Sequence, residues 1–310
     1  MSHSSASAGL PANVIVFERG WLSSNNVLFV GDEETAVVDT GYATHADQTL
    51  ALVESVLTLR PLDRILNTHL HSDHCGGNAA LQARYPSART DIPPGEAALV
   101  ERWDQRGLSF LATGQTCPRF GFTGLLQPAT ECVLGDRPWQ VHAAPGHDPH
   151  SVILFDAESR TLISADALWE NGFGIAFPEL AGEPSFEDVG ATLDLIGELA
   201  PKQVIPGHGA VFDDVDKALS VARWRLDGLQ RDPVKHARHA IKVLMKFKLL
   251  EVQSISVADW DAWLQSTAYL EAIRSRFFGA VDLDQLTKEI LAELVAAGAA
   301  EMSPPGIRNT

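Results

Sequence analysis

Thr68-His69-Leu70-His71-Ser72-Asp73-His74-Cys75-Gly76-Gly77 places three imidazoles and a carboxylate within six residues, and no packing requirement accounts for such a run. It directly follows residues 64–68, which read as a short buried strand. Histidines at alternate positions, 69 and 71, point the same way at a strand end. The turn that follows can aim Asp73 and His74 at a neighbouring point, which gives two adjacent metal subsites. Gly76 and Gly77 would let the backbone turn tightly into the next helix.

Three more candidate ligands stand at predicted strand ends, each after a small residue: Gly146-His147, Ala165-Asp166 and Gly207-His208. A lone histidine is more often a polar loop residue than a ligand. Seven such groups at strand ends are far more specific than any one of them. Nitrogen and carboxylate donors in this number suit two borderline divalent ions, zinc first, with iron or manganese as alternatives. Such ions lower the pKa of a bound water from about 15.7 to about 7, so a nucleophile exists at neutral pH without a serine or cysteine.

The pattern resembles the metallo-β-lactamase superfamily, whose H-x-H-x-D-H motif is complete here from His69 to His74. The resemblance covers roughly residues 13–230. It implies that His69, His71 and His147 hold a first metal and Asp73, His74 and His208 a second, with Asp166 bridging both. It also implies a catalytic part for Asp73 and Asp166 and a supporting one for Asp39, in Val37-Val38-Asp39-Thr40-Gly41. The reaction implied is attack of the metal-activated water on a small-molecule ester, thioester or lactone.

Within the family, Asp166 argues against a true β-lactamase, because those enzymes lack an aspartate at the bridging position. Glyoxalase II enzymes and acyl-homoserine lactonases share the full set. The lactonases carry a tyrosine three residues after the bridging aspartate, where this chain has Trp169, which offers no hydroxyl. The basic C-terminal pattern of glyoxalase II is not found. Persulfide dioxygenases use the fold with a single iron and form the alternative reading. Their Gly-Arg-Thr-Asp-Phe stretch is replaced here by Leu168-Trp169-Glu170-Asn171-Gly172-Phe173-Gly174.

The rest of the chain sets the frame. Its 310 residues allow one large core or two domains, and 45% hydrophobic with 21% charged residues is an ordinary soluble composition. A net charge of −16 disfavours a nucleic-acid partner over most of the surface. Cys75, Cys117 and Cys132 form no C-x-x-C pair, and neither an export signal nor an apolar run of membrane-spanning length is visible. A cytoplasmic protein away from membranes is expected.

Short β-rich runs at 14–17, 27–30 and 35–39, a helical pattern at 46–59 and the strand at 64–68 open the chain. Strands follow at 131–134, 139–143, 152–155 and 162–164, then a helix at 188–199 and a strand at 203–206. Two such halves predict an α+β fold, a four-layer αβ/βα sandwich with mixed sheets inside. The expected division is a flexible terminus at 1–12, a catalytic domain at 13–230 and a small helical, winged-helix-like domain at 231–310. The glycine-rich stretch 104–130 reads equally as a lid or as a packed segment.

Trp169, Phe173 and Phe177, with Ile175, follow Asp166 and are candidates for an apolar substrate pocket, or for packing between the domains. Arg119 could anchor a substrate carboxylate but reads more simply as solvated. Lys235, Arg238, Lys242 and Lys246 form a basic helix face that could hold RNA, as in the superfamily's ribonucleases. The plainer reading is a helix face closing over the domain core. A non-catalytic binding protein would not need all seven ligands. A homodimer is compatible with the tail.

Overall fold

The computed structural model describes residues 9–304 and 306–310. Of the flexible terminus expected at 1–12, residues 1–8 lie outside the described residues, while Leu10 packs against a core.

The first half runs β1 (Val14–Phe17), β2 (Asn26–Val30), β3 (Thr35–Val38), α1 (Ala46–Leu57), β4 (Arg64–Leu66), α2 (Ser72–Cys75), α3 (Asn78–Arg84), β5 (Arg89–Ile92), α4 (Ala97–Arg102), α5 (Phe110–Thr113) and β6 (Gly124–Leu125). These strands form a six-stranded sheet in sequence order, antiparallel through β3 and parallel from β3 to β6. The second half runs β7 (Thr130–Leu134), β8 (Arg137–Ala143), β9 (Val152–Asp156), β10 (Thr161–Ala165), α6 (Phe177–Ala181), α7 (Phe186–Leu199), β11 (Gln203–Pro206) and α8 (Val215–Arg231). Its sheet has the order β11-β10-β9-β8-β7, with β10 and β11 parallel.

Side-chain alternation along the strands fixes the layers. Val27, Phe29, Ala36, Val38 and Leu66 point toward the second sheet and meet Trp139, Val141, Val152 and Leu154 there. The intervening Leu28, Val37 and Ile65 face outward under α1 and α3. On the other sheet, Ile153, Phe155 and Leu162 face outward under α7 and α8. Helix, sheet, sheet and helix therefore stack in the expected four layers, and each fully buried large side chain contributes roughly 1.5–3 kcal/mol. Edge-on packing of Phe29 against Trp139, 5.3 Å between centroids, closes the centre.

The stretch 104–130 is a packed wall. Leu108, Phe110, Cys117 and Phe120 are buried with Leu70, Cys75, Ile92 and Val100. Glycine spacing hid this core, because its apolar residues follow neither helical nor strand periodicity.

After α8 the chain turns at Asp232, whose carboxylate accepts the Lys235 amide and caps the next helix. This region comprises α9 (Pro233–Val252), β12 (Ser254–Ser256), α10 (Val257–Ser266), α11 (Ala268–Phe277), α12 (Leu283–Ala296), β13 (Ala300–Ser303) and β14 (Gly306–Asn309). Its strands pair as β12-β14-β13. Its core includes Ile175 and Leu180 from the preceding half, so the region closes over the sandwich. Among the described residues no helix is long and apolar enough to cross a membrane.

Candidate metal centre

The candidate ligands come from strand ends of both sheets. His69, His71, Asp73 and His74 lie on the turn and short helix after β4. His147 lies on the β8–β9 connection, Asp166 just after β10 and His208 just after β11. Two features of the backbone present them. Ala165 sits at φ 46° beside a register shift between β10 and β11, which turns Asp166 out of the sheet. Gly207 and Gly174 leave room, since a Cβ would strike Asp166 Oδ1 at the first and the His147 ring at the second. Gly76 and Gly77 serve the same end rather than the tight turn expected. Gly76 has ordinary helical dihedrals, and a Cβ at Gly77 would collide with the Thr40 carbonyl.

All seven sequence-predicted groups converge. His69, His71 and His147 bring their ring nitrogens together, with His71 Nδ1 at 3.1 Å from His69 Nε2 and 2.8 Å from His147 Nε2. Asp73, His74 and His208 form a second cluster, in which His208 Nε2 is 3.2 Å from Asp73 Oδ2. Asp166 lies between them. Its Oδ2 is 3.3 Å from His147 Nε2, and its Oδ1 is 3.4 Å from His74 Nε2.

Neighbouring groups hold the ring orientations. His147 Nδ1 donates to the Ile175 carbonyl at 2.7 Å, which turns Nε2 inward. His74 Nδ1 donates to Asp39 Oδ2. Asp39 has φ 58° and also accepts the Thr68 amide and hydroxyl, so it supports the ligand turn without reaching the cluster. Second partners of this kind fix tautomer and direction.

Three of the rings and Asp166 are held in the protonation states that suit cations. Burial, then His74 and the other rings, hold His69 well below the usual imidazole range. Burial pushes His71 and His147 down to about 4. Burial opposes ionisation of Asp166, but His74 and His208 outweigh it and hold the carboxyl well below its usual range. Burial likewise opposes a proton on His74, yet Asp166 and Asp39 draw its pKa well above the usual value. His74 Nε2 is buried without a hydrogen-bond partner among the described residues. A buried, unsatisfied ring nitrogen facing an ionised carboxylate is what a site built for positive charge leaves behind in its absence. The donor set therefore fits two metal ions.

Residues 19–208 match the metallo-beta-lactamase superfamily. The chain belongs to that superfamily. Among its relatives are the probable metallo-hydrolase YybB of Bacillus subtilis, 30% identical over 44% of this chain and 59% of the relative. A hydroxyacylglutathione hydrolase of Synechococcus sp. is 32% identical over 64% of this chain and 69% of the relative. The match to YybB thus spans little more than half of that protein. A crystal structure of a metallo-beta-lactamase family protein from Thermus thermophilus superposes with a TM-score of 0.56 at 20% identity. It covers 96% of this chain and 98% of that one, which supports the fold.

The centre opens into a cavity of about 790 Å3. Trp169 lines it and donates from Nε1 to Asp166 Oδ1 at 3.2 Å. Phe177 lines it too, edge-on to His71 with centroids 5.3 Å apart. Phe173 does not. Its ring is buried in the core under α7 and α8, because residues 169–172 form a tight turn that carries it inward. Arg119 is exposed, donates to the Glu101 carbonyl and does not line the cavity.

Three of the four residues of the basic face of α9 are engaged within the chain. Arg238 pairs with Glu293 at 2.6 Å, Lys242 pairs with Glu293, and Lys246 donates to the Ala299 carbonyl and the Asn309 side chain. The structure adds lining residues that sequence reasoning missed. Trp21 stacks on His208 with centroids 5.4 Å apart and the rings 14° from parallel. Tyr269, Phe247 and Arg225 reach the cavity from the C-terminal region and from α8. No spacing signal marks them, since each belongs to an element that docks only in the folded chain.

Proposed function

We propose that this chain is a dinuclear, metal-dependent hydrolase of small-molecule esters, thioesters or lactones. The observation that carries the reading is Asp166, whose two carboxylate oxygens face two separate nitrogen clusters at 3.3 and 3.4 Å. His69, His71 and His147 would hold one ion, Asp73, His74 and His208 the other, and Asp166 both. The donor types favour zinc, with iron or manganese as alternatives. Two such ions would supply Lewis acidity and a water acidic enough to serve as nucleophile at neutral pH.

The chain's own groups do the rest. Asp73 is the more solvent-accessible carboxylate of the centre, which suits it to carry a proton toward the leaving group. Trp169 and Phe177 give the cavity wall apolar surface beside the centre, which suits the acyl part of a substrate. The match to a hydroxyacylglutathione hydrolase supports a thioester in particular. The order of one helix, one strand, three helices and a hairpin after Pro233 supports a winged-helix-like tail. The pairing of its basic face with Glu293 argues against RNA as the partner.

Elemental mass spectrometry of protein purified without added metal tests the reading, followed by a screen of thioesters, lactones and aryl esters. Close to two divalent ions per chain with hydrolysis of at least one class is the expected result. One iron per chain, with oxygen consumption on a persulfide and no hydrolysis, would overturn it in favour of the dioxygenase.

A further inference from the structure

Arg225 and Lys246 are cations of the cavity wall that the hydrolytic chemistry leaves unused, and Lys246 is already held by the Ala299 carbonyl and the Asn309 side chain. On α8, Arg223 pairs with Asp194 and Arg231 with Asp227. Arg225 has no carboxylate within 4.0 Å among the described residues, although it is partly buried and lines the same cavity as the metal centre. Its guanidinium lies over the Phe173 ring, 5.3 Å from the centroid, and the absence of a side chain at Gly172 makes room for Nη1. Nη2 donates to His239 Nε2 at 3.2 Å. His239 is neutral in this arrangement, because burial and then the Arg225 charge push it down to about 4. The ring therefore aims the fork and adds no charge.

A partly buried guanidinium without a counter-charge carries a desolvation cost, and such groups are commonly paired. A flat face on an aromatic ring, one nitrogen fixed by an imidazole and an edge facing an open cavity together form a preorganised carboxylate receptor. We propose that Arg225, oriented by His239 and Phe173, binds a carboxylate on the substrate at a point away from the scissile bond. The favoured substrates are then acyl compounds bearing a second, free carboxylate. One compensating charge suits a monoanion better than a phosphate dianion, and Glu170 and Glu183 on the same cavity wall reinforce that limit. The role considered for Arg119 in the sequence thus falls to a residue on another element. The inference rests on the cavity being the hydrolase's substrate site.

The test compares 4-nitrophenyl hexanoate with the 4-nitrophenyl monoester of adipic acid, which share a leaving group and differ in the terminal carboxylate, the chain being too long for that carboxylate to expel the phenolate readily by ring closure. The wild type should prefer the acid. In Arg225→Gln the ratio of kcat/KM for acid over neutral ester should fall roughly ten- to hundredfold, mainly through KM, as expected for loss of one charge-assisted hydrogen-bonded contact. Arg225→Lys, which keeps the charge without the fork, should fall between. Glutarate binding by titration calorimetry needs no turnover, so it separates the two readings. Arg225-dependent glutarate binding in a protein that cleaves no ester would sustain the subsite and sink the hydrolase. A wild type that hydrolyses the neutral ester at least as well as the acid, or binds no glutarate, overturns the carboxylate receptor, whatever the variants do.

Discussion

His74 Nδ1 lies 2.8 Å from Asp39 Oδ2, and Thr68 Oγ1 donates to the same oxygen at 2.8 Å while standing 3.2 Å from His69 Nδ1. One buried carboxylate thus orients a ring in each of the two clusters, His74 directly and His69 through a hydroxyl. Asp39→Asn should lower the affinity of both subsites by roughly 10- to 100-fold, because an amide cannot accept from all three donors. Competition against a chromophoric chelator measures this, and unchanged affinity at both subsites would remove Asp39 from its supporting role.

Asp166→Ala removes the group that faces both clusters. The bound metal should fall from about two ions per chain to one or fewer, and hydrolysis should drop by at least about a hundredfold. His147→Ala should weaken one subsite and abolish turnover in the same way. Near-normal activity in either metal-replete variant would refute the ligand assignment.

Acid should destabilise the tail against the sandwich. His236 is buried against Phe186, and burial, then His239 and Arg225, push its pKa down to about 4 from the ordinary 6.5. The unfolded chain therefore binds the proton more readily than the folded one. The stability this ring contributes is full above about pH 6.5 and is lost as pH falls toward 4, a difference on the order of 2–3 kcal/mol. His236→Phe should flatten the fall in thermal midpoint over that window, and a slope equal to the wild type's would assign the acid sensitivity elsewhere.

Lys242→Ala should leave small-ester turnover intact, since Lys242 pairs with Glu293 on the outer face of α9. The exposed pair is worth at most about 1 kcal/mol. Strong RNA binding by the wild type that falls with salt and is lost in this variant would instead restore the nuclease reading.

The candidate ligand set and the layered fold were legible because both reduce to short-range patterns. The His69–His74 run stands at a strand end, and Val27, Val37 and Ile65 alternate with their neighbours at the period of a pleated sheet. For Phe173 the sequence leaves pocket lining and packing between the domains open, and the structure places its ring in the core for a physical reason. An aromatic a few residues from a lining tryptophan looks like a second lining residue, but the Trp169–Gly172 turn reverses the chain between them. No sequence signal marks Arg225, because α8 carries other arginines that do pair with acids, and only the docked helices show which one has no acidic partner among the described residues. For 104–130 the sequence leaves lid and packed segment equally open, because its buried residues pack across elements and not along them.

The seven groups of the centre divide between the sheets, four following β4 in one and three at strand ends of the other. Neither half carries a complete coordination set, so the centre cannot exist before the two sheets have docked. Loading would then act as a clamp across the seam, and its binding free energy would become resistance to separation of the halves. Chelators should lower the melting point of the whole sandwich although none of the ligands belongs to the inter-sheet core, and the extent of that fall should track free metal concentration. Metal supply would in this way decide how much of the chain survives as folded protein, before it decides how fast any of it turns over.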